Sequence, residues 1–292
     1  MANLQPMSGL GAILTASVTP FSADGGVNED AAVRLWNHLL DHGSDGIVVA
    51  GTTGEATTMT DEEHIALVAL AVAEVGDRAT VVAGTGSNDT RHAVHLTEAA
   101  TAAGVDATLS VTPYYNKPNR RGIVAHYTEV AAATDKPVLL YNIPSRTAVN
   151  MPPDLLAELA QIEHIDGVKQ ANDDDLQPID GLAIYAGNDT TLARTLDFGG
   201  AGGILVASHV VGEEMRGMVD EPERRAEIDA SLRDVFDAMF CTASPAPVKA
   251  ALNLLGHDVG GLRLPMVEVD DAELATVREA LVAHGLLEAA RA

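Results

Sequence analysis

The chain carries only four lysines, and one of them stands apart. Lys169 ends a short strand-like run, 165–169, with glycine and valine just before it. Burying an ammonium is costly, so a lysine at the end of such a run calls for a reason. Desolvation lowers the amine's pKa and frees its lone pair to attack a carbonyl. The competing reading is a lysine snorkelling from a barrel rim. The other three fit that plainer reading: Lys117 and Lys136 each precede a proline, and Lys249 falls in a helical stretch.

Other residues at run ends suit the same chemistry. Tyr141 closes the run 137–141, and a phenol there can relay protons to and from a Schiff base, unless it is simply packed. Arg146, five residues on, has the fork that grips a carboxylate, unless it is a solvated loop charge. After 46–50 comes Gly51-Thr52-Thr53-Gly54-Glu55, whose amides and hydroxyls suit a small anion but are equally those of a plain turn. Adjacent Tyr114 and Tyr115 sit in a Pro-Tyr-Tyr-Asn-Lys-Pro loop, a composition common at interfaces and pockets.

Metal and nucleotide chemistry lack their signatures. Ten histidines include no His-Glu-x-x-His; His38/His42 and His92/His95 fall on charged helical stretches and read as solvated. No G-x-G-x-x-G follows a strand with an acid about 20 positions on, so no dinucleotide is expected. The glycine cluster 199–203 precedes a strand instead of following it, which indicates tight helix-to-strand packing. Neither cofactor nor metal is expected.

Eight apolar runs must position these residues: 11–19, 46–50, 80–83, 105–111, 137–141, 165–169, 182–186 and 203–207. Most are rich in Val, Ile and Leu without alternation, as in parallel strands covered on both faces. Helical stretches fall between them at 28–40, 60–75, 88–102, 121–133, 153–159 and 190–196. Asn28 and the Thr60/Glu63 pair give start signals. Eightfold alternation predicts an α/β fold, a closed (β/α)₈ (TIM) barrel, with its site at the strands' C-terminal ends. Three further helices, 222–240, 245–255 and 270–290, predict a C-terminal extension. The expected division is a barrel over 1–220 carrying the active site and a helical part over 221–292.

Composition narrows the partners. With 42 acidic and 18 basic residues the net charge is −24, which disfavours nucleic acid and anionic membranes. The single Cys241 cannot form an internal disulfide, there is no signal-like start, and no run is long enough to span a bilayer. A cytoplasmic location is expected.

Taken together and in order, the GTTGE, PYYNKP, YNIPSRT and GVKQA stretches resemble the dihydrodipicolinate synthase/N-acetylneuraminate lyase family, from about Leu10 to about Met266. The resemblance implies a class I, Schiff-base-forming lyase needing no cofactor. It makes Lys169 the lysine that captures pyruvate and Tyr141 the proton relay. Thr52 would link Tyr141 to Tyr115, which in the family reaches into a neighbouring subunit's site. Thr53 would clamp the pyruvate carboxylate, Arg146 the carboxylate of an incoming aldehyde, and Gly187 and Ile204 would turn backbone carbonyls toward the site. A homo-oligomer follows, commonly a dimer of dimers.

Arg146 and Thr52 favour the branch that condenses pyruvate with L-aspartate 4-semialdehyde in lysine and diaminopimelate biosynthesis. An aldolase for N-acetylneuraminate, a 2-keto-3-deoxy sugar acid or a 4-hydroxy-2-oxo acid is the alternative, and a non-catalytic keto-acid-binding barrel a remote third. Gln170, Asn188, Leu205 and Ser244 replace the family's usual Glu, Asp, Ser and Asn. At the family's lysine-effector site, Asp61 and His92 replace the usual His and Glu, so feedback inhibition is expected to be weak or absent.

Overall fold

The eight strands are short and almost wholly buried: β1 Ile13–Ala16, β2 Gly46–Val49, β3 Thr80–Gly84, β4 Ala107–Val111, β5 Val138–Asn142, β6 Ile165–Gln170, β7 Ala183–Ala186 and β8 Gly202–Leu205. In the computed structural model, which describes residues 9–288, they pair in parallel from β1 to β8 and close through a β1–β8 pairing. Alternate residues point in and out. Leu14, Val48, Leu109, Leu139, Tyr185 and Ile204 fill the inside. Their neighbours Ile13, Ile47, Val49, Val81 and Leu205 face the surrounding helices. The barrel predicted from the sequence is therefore the observed fold.

The helices are α1 Glu29–Asp41, α2 Asp61–Val75, α3 Thr90–Ala103, α4 Arg120–Ala132, α5 Pro144–Thr147, α6 Pro153–Leu159, α7 Leu192–Asp197, α8 Ser208–Asp220, α9 Arg225–Ala238, α10 Ala246–Leu254 and α11 Asp271–Ala283. Their starts follow the chemistry of the first turn. Asn28 accepts from the Ala31 amide, and Thr60 and Glu63 form the reciprocal capping box that their spacing implied. Gly104 ends α3 with φ +95°, a conformation glycine adopts without penalty.

Three differences from the expectation are informative. Helix α8 was not foreseen: no side chain caps its start, it has non-helical geometry at Val211, and it contains Gly212 and Gly217. Arg146 lies on the one-turn helix α5, not on an open loop. The last helix ends at Ala283, and predicted positions 289–290 lie outside the described residues.

Helices α9–α11 share one apolar cluster with the barrel's outer face, joining Leu232, Phe236, Leu252 and Leu281 to Trp36, Leu39 and Met215. Burying each such side chain contributes roughly 1.5–3 kcal/mol. The glycine cluster packs as expected: a Cβ on Gly200 would lie 2.4 Å from Thr195 Cγ2, and one on Gly202 2.0 Å from the Ala12 carbonyl.

Candidate active site

Strand register brings the chemistry together. Tyr141 on β5 pairs with Lys169 on β6, and Lys169 pairs with Tyr185 on β7. Tyr141 and Lys169 project inward beside each other, while the Tyr185 hydroxyl reaches the Gly11 carbonyl before β1 at 3.2 Å. The Lys169 Nζ stands 4.3 Å from the centre of the Tyr141 ring. The two side chains are buried, with residue exposures of 5% and 6%. Burial brings the Lys169 ammonium down to about 8; the Asp189 carboxylate opposes this fall and the Arg146 charge adds to it. Burial pushes the Tyr141 phenol up to about 12, against the pull of Arg146 and of a hydrogen bond with Thr52.

Thr52 and Thr53 lie in the turn after β2. Thr53 is buried and Thr52 is open to solvent. The Glu55 amide donates to the Thr52 carbonyl (3.1 Å) and the Ala56 amide to that of Gly51 (3.3 Å). Ala50 and Glu55, on either side of the threonines, hold positive φ values of 52° and 56°. Such strain in non-glycine residues persists only where the surroundings over-determine it. Arg146 is exposed on α5, close enough to perturb both Tyr141 and Lys169.

Gly187 follows β7 and donates to the Gln170 carbonyl at 2.8 Å. A Cβ there would come within 2.8 Å of the Ala171 amide nitrogen, so only glycine fits this close approach. Ile204 is fully buried inside the barrel, paired with Leu14. Tyr115 is different. It is 90% exposed with φ +71°, and it does not join Lys169 and Tyr141 within its own chain.

Sequence reasoning missed Asp189. It is 2% exposed, and its Oδ1 accepts from the Val206 and Ala207 amides at 3.0 and 3.2 Å. Its Oδ2 is buried without a hydrogen-bond partner, and burial raises the carboxyl to about 6. The only signal was an acid three residues past a strand end.

Sequence reasoning also misplaced Lys249, read as a surface helix residue. It is 1% exposed and pairs with Glu55 at 2.6 Å. Likewise His38 and His42 are not simply solvated. Their rings lie 4.1 Å apart, His257 lies 4.2 Å from His38, and burial beside those imidazoles takes His38 down to about 4. His92 does lie at the surface, where it meets Asp61 at 2.9 Å.

Two of the four departures from the family pattern, Gln170 and Leu205, face away from Lys169. Gln170 projects outward, where its Oε1 accepts from Asn142 Nδ2 and the Asn172 amide, both at 3.0 Å. Asn188 donates to Asp173 Oδ1 at 2.8 Å. Leu205 belongs to the outer apolar cluster. Ser244 is buried before the cis Pro245 bond.

The dihydrodipicolinate synthetase family model matches residues 9–284. The chain belongs to the dihydrodipicolinate synthetase family. One relative in that family, the 4-hydroxy-tetrahydrodipicolinate synthase of Moorella thermoacetica, is 45% identical, with 95% of this chain and 99% of the relative covered. Two solved dihydrodipicolinate synthase structures superpose closely. That from Cyanidioschyzon merolae, with lysine bound, gives a TM-score of 0.90 at 39% identity, covering 95% of this chain and 99% of its own. That from Acinetobacter baumannii, chloride-inhibited and complexed with pyruvate, gives 0.91 at 33%, covering 96% and 100%. As in other members of the dihydrodipicolinate synthetase family, the barrel is that of a lyase. Among the described residues no helix is long and apolar enough to cross a membrane.

Proposed function

We propose that the protein is a 4-hydroxy-tetrahydrodipicolinate synthase acting in the cytoplasm, with Lys169 as its Schiff-base nucleophile. The buried Lys169 ammonium against the Tyr141 ring carries this reading. With its pKa brought down to about 8, an appreciable fraction of the amine is neutral near pH 7–8 and can add to the C2 carbonyl of pyruvate. Loss of water gives an imine. The imine draws electrons from the methyl carbon, a proton leaves, and the resulting enamine attacks the aldehyde carbon of L-aspartate 4-semialdehyde. The substrate's own amine then adds to the imine carbon and expels Lys169, closing the ring and restoring the free enzyme.

Tyr141 supplies and accepts the protons of imine formation and condensation. Its phenol stays protonated, since burial holds its pKa far above neutrality. Thr52 links Tyr141 to the next hydroxyl, Thr53 holds the pyruvate carboxylate, and Arg146 grips the carboxylate of the aldehyde. Gly187 and Ile204 present backbone carbonyls at the rim. Tyr115, exposed on its own subunit, serves the site of a second copy, so the working form is a homo-oligomer, a dimer of dimers. The barrel over 1–220 carries the site and 221–292 forms the helical extension. No organic cofactor or metal enters the scheme.

Assays with the two substrate classes test the reading. Pyruvate consumed with L-aspartate 4-semialdehyde, and little cleavage of N-acetylneuraminate or 2-keto-3-deoxy sugar acids, is the expected result. The reverse preference would move the protein to an aldolase branch.

A further inference from the structure

Lys249 on α10 belongs to the extension, yet its charge lies against the active-site turn. Its Nζ is 2.6 Å from Glu55 Oε1, with side-chain exposures of 1% and 2%. It also donates to the Gly261 carbonyl at 2.7 Å and sits 4.2 Å from the Phe21 ring centre. The other Glu55 oxygen accepts from the Arg263 amide at 3.0 Å. Glu55 is thus held from two points of the extension, at α10 and in the segment that follows it.

Stability does not account for this pair. Desolvating two charges offsets much of their attraction, and apolar replacements of like volume are often neutral or better. What the pair does is positional. Glu55 holds its left-handed backbone three residues after Thr52 and donates its amide to the Thr52 carbonyl. Thr52 in turn lies close enough to the Tyr141 phenol to pull its pKa down against burial.

We propose that Lys249 is a positioning residue: through Glu55 it fixes the Thr52–Thr53 turn against Tyr141, so that the C-terminal extension sets the geometry of the pyruvate carboxylate clamp and of the proton relay. The inference rests on the pyruvate reading above. A cavity of about 1040 Å³ borders Lys249 together with Phe21, Asn253, Gly261 and Glu268.

Lys249→Met and the double variant Lys249→Met/Glu55→Gln, as full chains in the native assembly, test this. Steady-state kinetics and borohydride trapping with pyruvate are read well below each variant's melting temperature. Lys249→Met is expected to raise KM for pyruvate about tenfold or more, because misplacing a binding group by about 1 Å can cost up to ~10²-fold. Trapping on Lys169 should slow in parallel, while KM for the aldehyde changes less. The double variant leaves no unpaired carboxylate, so it should regain melting temperature but not pyruvate KM. A double variant with both restored to wild-type values would show a merely structural pair and overturn the proposal. If Lys249→Met alone fails to fold, the double variant carries the test. Failure of the wild-type protein to trap pyruvate would instead overturn the pyruvate reading, and this inference with it; wild-type trapping with an unaffected double variant overturns this inference alone.

Discussion

Tyr141 and Lys169 are register partners on adjacent parallel strands, and the lysine ammonium stands over the tyrosine ring, 4.3 Å from its centre. The contact involves the ring face, and the hydroxyl is free to bond Thr52. Tyr141→Phe should therefore keep the ring under Lys169 and lose only the relay. A fall in kcat of about 10²-fold or more is expected, the usual worth of a positioned acid–base group. The melting temperature should move little. Steady-state kinetics with a thermal melt check both, and near-wild-type turnover would remove Tyr141 from the proton path.

Lys169 also makes stability depend on pH in a defined sense. Its folded pKa of about 8 lies below the ordinary 10.5, so between those values the unfolded chain binds more protons. Stability contributed by this group therefore rises with pH across that window and is at its lowest below it. Lys169→Met removes a penalty on the order of 3 kcal/mol at full protonation. The variant should melt higher than wild type at pH 7, with the gap closing toward pH 10. Melting curves at both pH values check this.

Asp189 carries the opposite sign. Its folded pKa is raised to about 6 from 3.8, so its contribution is complete below about 4 and is lost as pH rises through 6. Asp189→Asn keeps an oxygen for the Val206 and Ala207 amides and removes the charge that favours protonated Lys169. The acid limb of the pyruvate-trapping rate should shift to lower pH, and the stability lost between pH 4 and 6 should disappear. An unshifted limb would place Asp189 in a purely structural role.

Much of this was legible before the structure. The strands are short runs of Val, Ile and Leu, and burial on both faces writes them plainly into the chain. Lys169 and Tyr141 declared themselves because each ends such a run, and Arg146 because it follows one. Helix α8 stayed hidden because it starts one residue after the Ala207 turn with no capping side chain and carries two glycines. Lys249 was misread because its partner is Glu55, on a turn 194 positions away, and composition says nothing about so distant a pairing. Asp189 escaped for a related reason: what marks it is burial, and its amide partners belong to the next strand's end.

Tyr115 offers a test of assembly. At 90% exposure it is out of place in its own site. If it acts on a second copy, mixing Tyr115→Phe subunits with Lys169→Ala subunits should produce hybrids in which some sites have both residues intact. Activity above that of either parent is expected. Mixtures no better than the Tyr115→Phe protein alone would count against action across subunits.

Regulation can be read from His92, which meets Asp61 at 2.9 Å; the lysine-sensitive pattern that the family resemblance implies has His and Glu at these two positions. Without that Glu the effector's amine lacks its charge partner. Lysine should inhibit weakly or not at all. A lysine titration of the initial rate checks this, and half-inhibition at sub-millimolar lysine would contradict it.

The central claim is that Lys169 is the nucleophile. Incubation with pyruvate, reduction with borohydride, and measurement of the intact mass and the modified peptide test it most directly. One reduced pyruvate adduct per chain, on Lys169, is the predicted result. No adduct from well-folded protein, or an adduct on another of the four lysines, would contradict it.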